Sequence, residues 1–420
     1  MEKQKYNILL LSDHPLSPSG VGTQALYLIQ GLIRTGRYKF FCLGGAIRHN
    51  NYDQMKVSED FIIQPVNGFG TRETIRKILS QERIDSIMLF TDPRMFIWVW
   101  EMEDEIHQVC PLSYYHVWDN DPAPEYNKVF YESTDLINCI NDVTYKFCKE
   151  WFPEKVNFTP HALPRELFFP LKESEIEVAK KSILSSKSLP EKSFIALWVS
   201  RNAKRKAPSD ILESWKLFLD ELYVKHGHRN ALLLMKTDPI DENGTNLPEV
   251  INMLKISDNV IFIDMRPVNE LNIIYNCADV VLSKSSNEGF GLTVLEGMMT
   301  ATPAIAVKTG GLTRQVVDCN DGSHNGIAID PQVRTLVGSV PTPYIYEDFV
   351  SNEIFAKAIM DMHEYGPNKR KELGLKAYKY AQTEFNIDNL INTWDKSLSK
   401  TIDDWKKEDK KSKQWSLTEL

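Results

Sequence analysis

Short, almost wholly apolar runs recur along this chain, and stretches of helical periodicity lie between several of them. In the first half they are Tyr6–Leu11, Lys39–Leu43, Ile84–Phe90, Leu112–Val117, Leu136–Ile140 and Val156–Thr159. The second half repeats the theme at Phe194–Val199, Ala231–Met235, Val260–Ile263, Val280–Ser283 and Ala304–Val307. A strand that is apolar on both faces must be covered on both, and helices between such strands are the crossovers of a parallel sheet. The pattern predicts an α/β protein with two doubly wound parallel sheets. Ligands of such sheets bind beyond the carboxyl ends of the strands, so the residues that follow those ends carry the functional argument.

The clearest helix starts near Ser209, where Ile211, Leu212, Trp215, Phe218, Leu219, Leu222 and Tyr223 form one stripe. That stripe reads as core packing. Pro160, Pro164, Pro170 and Pro190 punctuate the middle of the chain. We therefore expect domains at 1–170 and 193–385, with a linker at 171–192. Terminal helices are expected at about Asn368–Glu384 and Ile387–Ser399, followed by a charged, frayed tail at 401–420 in which Trp405 and Trp415 could dock.

Composition excludes several classes. Apolar residues make up 42% and charged residues 25%, which rules out general disorder. The formal charge is −8 and neither half is basic, which counts against a chain built mainly to grip nucleic acid or anionic membrane. No run approaches the roughly 20 apolar residues of a spanning helix, and Ile8–Leu11 is too short for a signal peptide. The six cysteines form no Cys-x-x-Cys motif, and Cys42, Cys139 and Cys277 read as small core residues. The expectation is a cytoplasmic protein without stable membrane insertion.

Four constellations follow strand ends. The strongest is Ser283 to Gly297. A polar loop leads to Gly289-Phe290-Gly291, and a helix begins near Leu292. Amides and dipole at a helix start suit a phosphate. Glu288 and Glu296 flank that start, and carboxylates suit paired hydroxyls. Together they suggest a nucleotide sugar, one Glu on the sugar and one on the ribose. The second is Ser200 to Lys206, where Arg201, Lys204, Arg205 and Lys206 can neutralise a diphosphate. The third is Pro15 to Gly22. Gly20 and Gly22 resemble a dinucleotide loop, but a third glycine is lacking, so they read as a close backbone approach to a ligand. The fourth is Tyr114 to Asp121. His116 suits a sugar hydroxyl or proton transfer, or a purely structural place. Asp119-Asn120-Asp121 formally matches a metal-binding triplet of a kind common by chance.

Glu288 and Glu296, with Gly289-Phe290-Gly291 between them, look like the signature of family-four retaining glycosyltransferases of GT-B fold (glycosyl transferases group 1). Further resemblances are Gly20-Val21-Gly22, Thr159-Pro160-His161-Ala162, Phe168-Phe169-Pro170, Ala278-Asp279-Val280 and Gly310-Gly311. The resemblance implies two Rossmann-like domains facing a cleft: an acceptor-side domain first, a nucleotide-sugar domain second, and a helix at 386–400 crossing back. It implies that Arg201 and Lys206 stabilise the leaving diphosphate. Glu288 would hold sugar hydroxyls, with Phe290 and Gly291 amides nearby, and Glu296 would hold ribose. His116 would stand near the donor sugar. Retention, no metal and no cofactor beyond the sugar-nucleotide co-substrate are also implied.

The chain departs from the family pattern in three places. Asp264 stands for a glycine near the expected base pocket, Ala301 for another glycine, and Arg314 for a glutamate. The stretch 332–348 resembles an insertion, a lid or an interaction surface. In such an architecture the acceptor meets first-domain groups, and Asp13, Asp92, Arg94 and Asp119, with His14, Tyr114, Tyr115 and Trp118, suit a carbohydrate or glycoconjugate. Arg34, Arg37, Arg48 and Arg94 keep a DNA acceptor, a hydroxymethylated pyrimidine, open. A nucleotide-sugar epimerase, a phosphorylase and a non-catalytic nucleotide-sugar-binding protein are compatible with the same residues.

Overall fold

The structure, a computed structural model, describes residues 5–264 and 266–412. It divides into two units. The first holds the chain up to Trp118, Ala123–His161 and the chain from Ile387; the second holds Asp119–Pro122 and Ala162–Asn386.

In the first unit the chain runs through β1 (Tyr6–Asp13), α1 (Gly20–Arg34), β2 (Tyr38–Gly45), β3 (Met55–Ser58), β4 (Phe61–Pro65) and α2 (Arg72–Gln81). It continues through β5 (Ser86–Thr91), α3 (Ile97–Trp100), α4 (Glu103–Ile106), β6 (Leu112–His116), α5 (Lys128–Glu132), β7 (Leu136–Cys139), α6 (Asp142–Trp151) and β8 (Val156–Phe158). The sheet order is β3-β4-β2-β1-β5-β6-β7-β8. All pairings are parallel except β3 with β4. The central strands are apolar and buried, Ile8 to Leu11 and Ile87 to Phe90 having no exposure. β3 and β4 lack a long apolar run, and β3 is an exposed edge; neither stands out from the sequence pattern.

The second unit contains α7 (Glu173–Ser185), β9 (Phe194–Val199), α8 (Pro208–His226), β10 (Ala231–Lys236), α9 (Leu247–Leu254), β11 (Val260–Ile263), α10 (Val268–Cys277) and β12 (Val280–Ser283). Then come α11 (Leu292–Met299), β13 (Ala304–Val307), α12 (Leu312–Val316), β14 (Gly326–Ile329), β15 (Val333–Ser339), β16 (Thr342–Phe349), α13 (Asn352–Glu364) and α14 (Gly366–Glu384). Six strands form a parallel sheet in the order β11-β10-β9-β12-β13-β14. The α8 stripe is core, Ile211, Leu212, Trp215, Phe218, Leu219 and Leu222 all being buried, whereas Tyr223 faces out.

The structure refines three expectations. The stretch expected as a linker, 171–192, holds α7, which packs on α10. The segment before it also belongs to the second unit. Phe169 N–H and Leu171 N–H donate to the side-chain oxygens of Asn272 and Asn276 on α10, and Phe168 packs edge-on against Tyr275. The stretch 332–348 is an antiparallel hairpin, β15 with β16. The last helix does not stop near residue 400: α15 spans Ile387–Ser412 within the first unit. Leu390, Trp394, Leu398 and Ile402 recur every four residues and are buried, one helix face against the core. Gly31 on α1 permits that packing, since a Cβ there would stand 2.2 Å from Ile391. Asp403 accepts from Tyr6 Oη at 2.7 Å and Lys406 pairs with Asp85 at 2.7 Å, so this part of the tail is held. Trp415 and the rest of 413–420 lie outside the described residues.

Candidate active site

Strand order reverses between β9 and β12 in the second sheet, and between β1 and β5 in the first. Loops leaving the two strands at such a switch diverge and open a crevice. The two strongest sequence constellations, 200–206 and 284–291, are the loops after β9 and β12.

Lys204–Lys206 forms a 3₁₀ turn, and Ala207 follows at φ +51°, reversing the chain into Pro208 at the start of α8. This turn presents Lys206 Nζ to Glu288 Oε1, with which it forms an ion pair. Ser285 Oγ donates to the same oxygen at 2.9 Å, and Arg205 lies 3.5 Å from Glu288 Oε2. Arg205 also donates to the Asn287 carbonyl at 2.8 Å. Burial alone would raise the Glu288 pKa and does lower that of Lys206. Two cations on one carboxylate nevertheless hold Glu288 below its ordinary value.

The backbone around Glu288 requires glycines. Gly291 has φ +93°, and a Cβ there would stand 2.3 Å from Leu312. A Cβ on Gly310 would stand 2.0 Å from the Glu288 carbonyl and 2.3 Å from that of Asp119. Gly311 N–H donates to the Glu288 carbonyl, and Gln315 caps that of Phe290 at 2.6 Å. Phe290 itself is buried and packs edge-on against Phe385. Glu296, one turn into α11 from Leu292, accepts from Tyr275 Oη at 2.5 Å. Burial pushes its pKa up to about 7, against the pull of Tyr275 and Lys236.

Other expected donor-side residues are placed differently. Arg201 turns outward into a bidentate pair with Asp241, at 2.8 and 3.1 Å; Arg205, from the same run, stands at Glu288 instead. Asp264 is exposed just past β11. Asp119, expected on the acceptor side, belongs to the second unit and acts electrostatically on Arg205 and Lys206. Asp121 pairs with Arg334 at 3.7 Å.

In the first unit, Asp13 ends β1 and accepts from Ser19 Oγ at 2.7 Å, while burial raises its pKa. Ser19 also caps α1 through Gly22 N–H. Gly20 opens α1. The smallness of Gly22 is explained by its own loop rather than by a ligand: a Cβ would stand 2.5 Å from Ser17 Oγ and 2.6 Å from the His14 carbonyl. Asp92 and Arg94 bind each other through two side-chain bonds at 2.8 and 2.5 Å. His116 is fully buried among Tyr114, Tyr131 and Phe147, 3.7 Å from Cys148 Sγ. Its imidazole lies in the first core, not at a surface that a sugar reaches. Among the described residues, two sets bring three metal-capable donor atoms within 4.8 Å: His116, Cys139 and Cys148, and His226, His363 and Glu364. The Asp119-Asn120-Asp121 triplet forms no such set.

Sequence reasoning missed Arg205 as the partner of Glu288, Asp241 as the partner of Arg201, and Tyr275 behind Glu296. The cationic run gave a signal for Arg205; the other two are joined to their partners only by folding.

Comparison with known proteins bears on the second unit and on the fold. Residues 180–339, which include the Arg201–Lys206 turn and the whole 284–297 segment, match the family model of glycosyl transferases group 1. The matched residues run from α7 to β15 of the second unit. Over 183 residues the chain is 29% identical to a D-inositol 3-phosphate glycosyltransferase of Corynebacterium diphtheriae, covering 42% of this chain and 41% of that protein. It is 31% identical over 181 residues to the Stackebrandtia nassauensis protein of the same name, covering 42% and 38%. The chain thus spans well under half the length of these relatives. Sucrose-phosphate synthase from Thermosynechococcus elongatus superposes with a TM-score of 0.74 at 17% identity, covering 95% of this chain and 100% of that one. Anabaena HepE, solved with UDP-glucose, gives 0.68 at 14%, covering 94% and 99%. At such identities the likeness is one of fold. The chain has a GT-B fold with two Rossmann-like parallel-sheet units. Among the described residues no helix is long and apolar enough to cross a membrane.

Proposed function

We propose that the chain is a retaining glycosyltransferase that moves a sugar from a nucleoside-diphosphate sugar to a carbohydrate or glycoconjugate hydroxyl, without a metal, in the cytoplasm. The observation that carries this reading is Glu288, held between Lys206 and Arg205 where the group 1 domain reverses its strand order. In the free protein one carboxylate neutralises two cations. A bound diphosphate takes over those cations and leaves Glu288 to the sugar hydroxyls. Arg201 adds a third cation once it leaves Asp241, and Glu296 accepts from the ribose.

In the reaction the anomeric C–O bond to the diphosphate breaks as the bond to the acceptor oxygen forms. The acceptor proton passes to the departing phosphate. The cations stabilise charge that grows only as the bond breaks, which is where electrostatic stabilisation accelerates a reaction. Because the cations already supply positive charge, activity is expected to persist in EDTA. Asp13, Asp92 and Arg94, at the carboxyl ends of β1 and β5, are our acceptor-side candidates. UDP-glucose is the first donor to try, since it is bound by a protein of the same fold.

The deciding experiment is a thermal-shift series with UDP, GDP and their sugars, followed by UDP-release assays with oligosaccharides and with hydroxymethylated duplex DNA. Ligand at about 100 times its Kd adds about 2.7 kcal/mol. No stabilisation by any sugar nucleotide defeats the proposal. Transfer to DNA alone moves the acceptor class, and inversion seen by NMR of the product removes retention.

A further inference from the structure

Resting on that reading, we propose that the β15–β16 hairpin is a brace for the donor-sugar loop, and that Asp348, Asn120 and Arg334 are positioning residues acting through it on Glu288.

The hairpin does not stand off as a surface lid. Asp348 N–H donates to the Ser286 carbonyl at 2.8 Å, and Asn287 Nδ2 donates to the Tyr346 carbonyl at 3.0 Å. Tyr346 N–H donates to the Asp121 carbonyl at 2.7 Å. Ser286 is gripped from its other side as well. Its N–H donates to the Arg205 carbonyl at 2.9 Å, and its carbonyl also accepts from Thr309 Oγ1 at 3.3 Å. The two residues before Glu288 are therefore tied at backbone and side chain to the hairpin, to the cationic turn and to the loop after β13. With these two residues fixed, and the Glu288 carbonyl held by Gly311 N–H, Glu288 has little freedom but its own side-chain torsions.

Asp348 is the point where the brace closes. Its side chain is completely buried, a costly place for a carboxylate unless it is fully bonded. Arg334, from the opposite strand, donates to it at 2.7 and 3.3 Å, and Asn120 donates at 2.9 Å. Asn120 is itself buried and reaches Thr309 and the Tyr346 carbonyl at 3.4 Å. One buried charge thus joins both hairpin strands, the 119–122 segment and the donor-sugar loop. Simple cohesion of a hairpin does not require such an arrangement, because its cross-strand ladder already supplies that.

The test uses the full chain with Asp348→Asn, Asn120→Ala and Arg334→Lys, UDP-glucose as the donor probe and UDP as the sugar-free probe. We expect amide exchange across 284–288 to accelerate in Asp348→Asn while exchange in β9 and β12 stays unchanged. We expect kcat/KM for the donor to fall about ten- to hundred-fold, the loss of one or two charge-assisted bonds. UDP affinity should change less than about threefold, and Arg334→Lys should be the mildest variant because it keeps the charge. Placed on Glu288→Gln, Asp348→Asn should add almost nothing, as groups acting through one residue are not additive. Unchanged exchange in the loop overturns the brace, as do equal losses for donor and UDP, or additive losses in the double variant. If Asp348→Asn does not fold, Arg334→Ala, which removes a half-exposed partner, carries the same measurements. If wild type turns over no sugar nucleotide, the functional reading fails, and the exchange experiment still decides the brace.

Discussion

Replacing Lys206 with Met removes the ammonium from the most buried charge pair of the site and keeps much of its volume. The side chains of Lys206 and Glu288 are 14% and 11% exposed, so solvent compensates little. Removing one partner of a buried pair costs about 3–5 kcal/mol, because the other charge is left uncompensated. Arg205 at 3.5 Å and Ser285 at 2.9 Å still serve Glu288, which places the expected loss at the lower end, about 3 kcal/mol. For a unit of this size, about 2–4 °C per kcal/mol corresponds to a fall of about 6–12 °C in the melting transition of the second unit. The pH dependence follows from the sign of the shift. In wild type Glu288 is depressed below its ordinary 4.5. Its contribution is therefore present above that value and lost as pH falls through the folded pKa. In Lys206→Met burial outweighs the remaining cation, the folded pKa rises, and the variant should gain stability relative to wild type as pH is lowered toward 5. Adding Glu288→Gln removes the stranded charge, so the double variant should melt above Lys206→Met alone. Scanning calorimetry of wild type, Lys206→Met and the double variant between pH 5 and pH 8 measures all of this. A Lys206→Met protein that melts with wild type, or a double variant below the single one, refutes the argument.

Further outcomes follow from the same geometry. Glu296, raised to about 7, should make UDP affinity increase as pH rises through that value, since only the carboxylate accepts both ribose hydroxyls; Glu296→Gln should flatten the profile in calorimetric titrations at pH 6, 7 and 8. Its raised folded pKa also means that stability from this group is present below 4.5 and lost as pH rises through about 7, a slope absent in the Gln variant. Asp241→Asn should release Arg201, tightening UDP binding severalfold with little change in melting, because the guanidinium is exposed and solvent screens the pair; weaker binding would show that Asp241 orients Arg201 rather than withholding it. Gly291→Ala should cost at least about 1–3 kcal/mol from its left-handed backbone, with the Leu312 clash added, and thermal denaturation would reveal a tolerated alanine.

Several of these residues are legible without the fold. The spacing of Glu288 and Glu296 about a glycine turn marks a strand-to-helix start, and the structure puts Glu288 in the loop before α11 and Glu296 just over one turn into that helix. The 200–206 run is equally visible, but not which of its cations meets Glu288. That choice depends on a 3₁₀ turn and one left-handed residue, Ala207, which direct Lys206 and Arg205 inward and leave Arg201 for Asp241. His116 shows the opposite failure. A histidine at a strand end reads as functional, yet strand alternation places it on the face with Tyr114, beneath α5 and α6 residues the chain reaches only later.

The sequence by itself determined the architecture of two parallel sheets, because strands apolar on both faces must be covered on both sides, and the helical segments between them supply that cover. It also singled out the loops after β9 and β12 as the candidate site, because backbone and side chains at a strand's carboxyl end are local. Only the tertiary structure decided the partners. Arg205 with Glu288, Arg201 with Asp241, Tyr275 with Glu296, and Asp348 with Asn120 and Arg334 join residues mostly far apart in sequence. A charge or hydrogen bond acts over a few ångströms of space whatever the chain length between its ends, so no local pattern records it. Likewise the stretch 332–348 reads as an insertion from its sequence, because its anchorage comes from Ser286, Asn287 and Asp121, which only the finished fold brings against it.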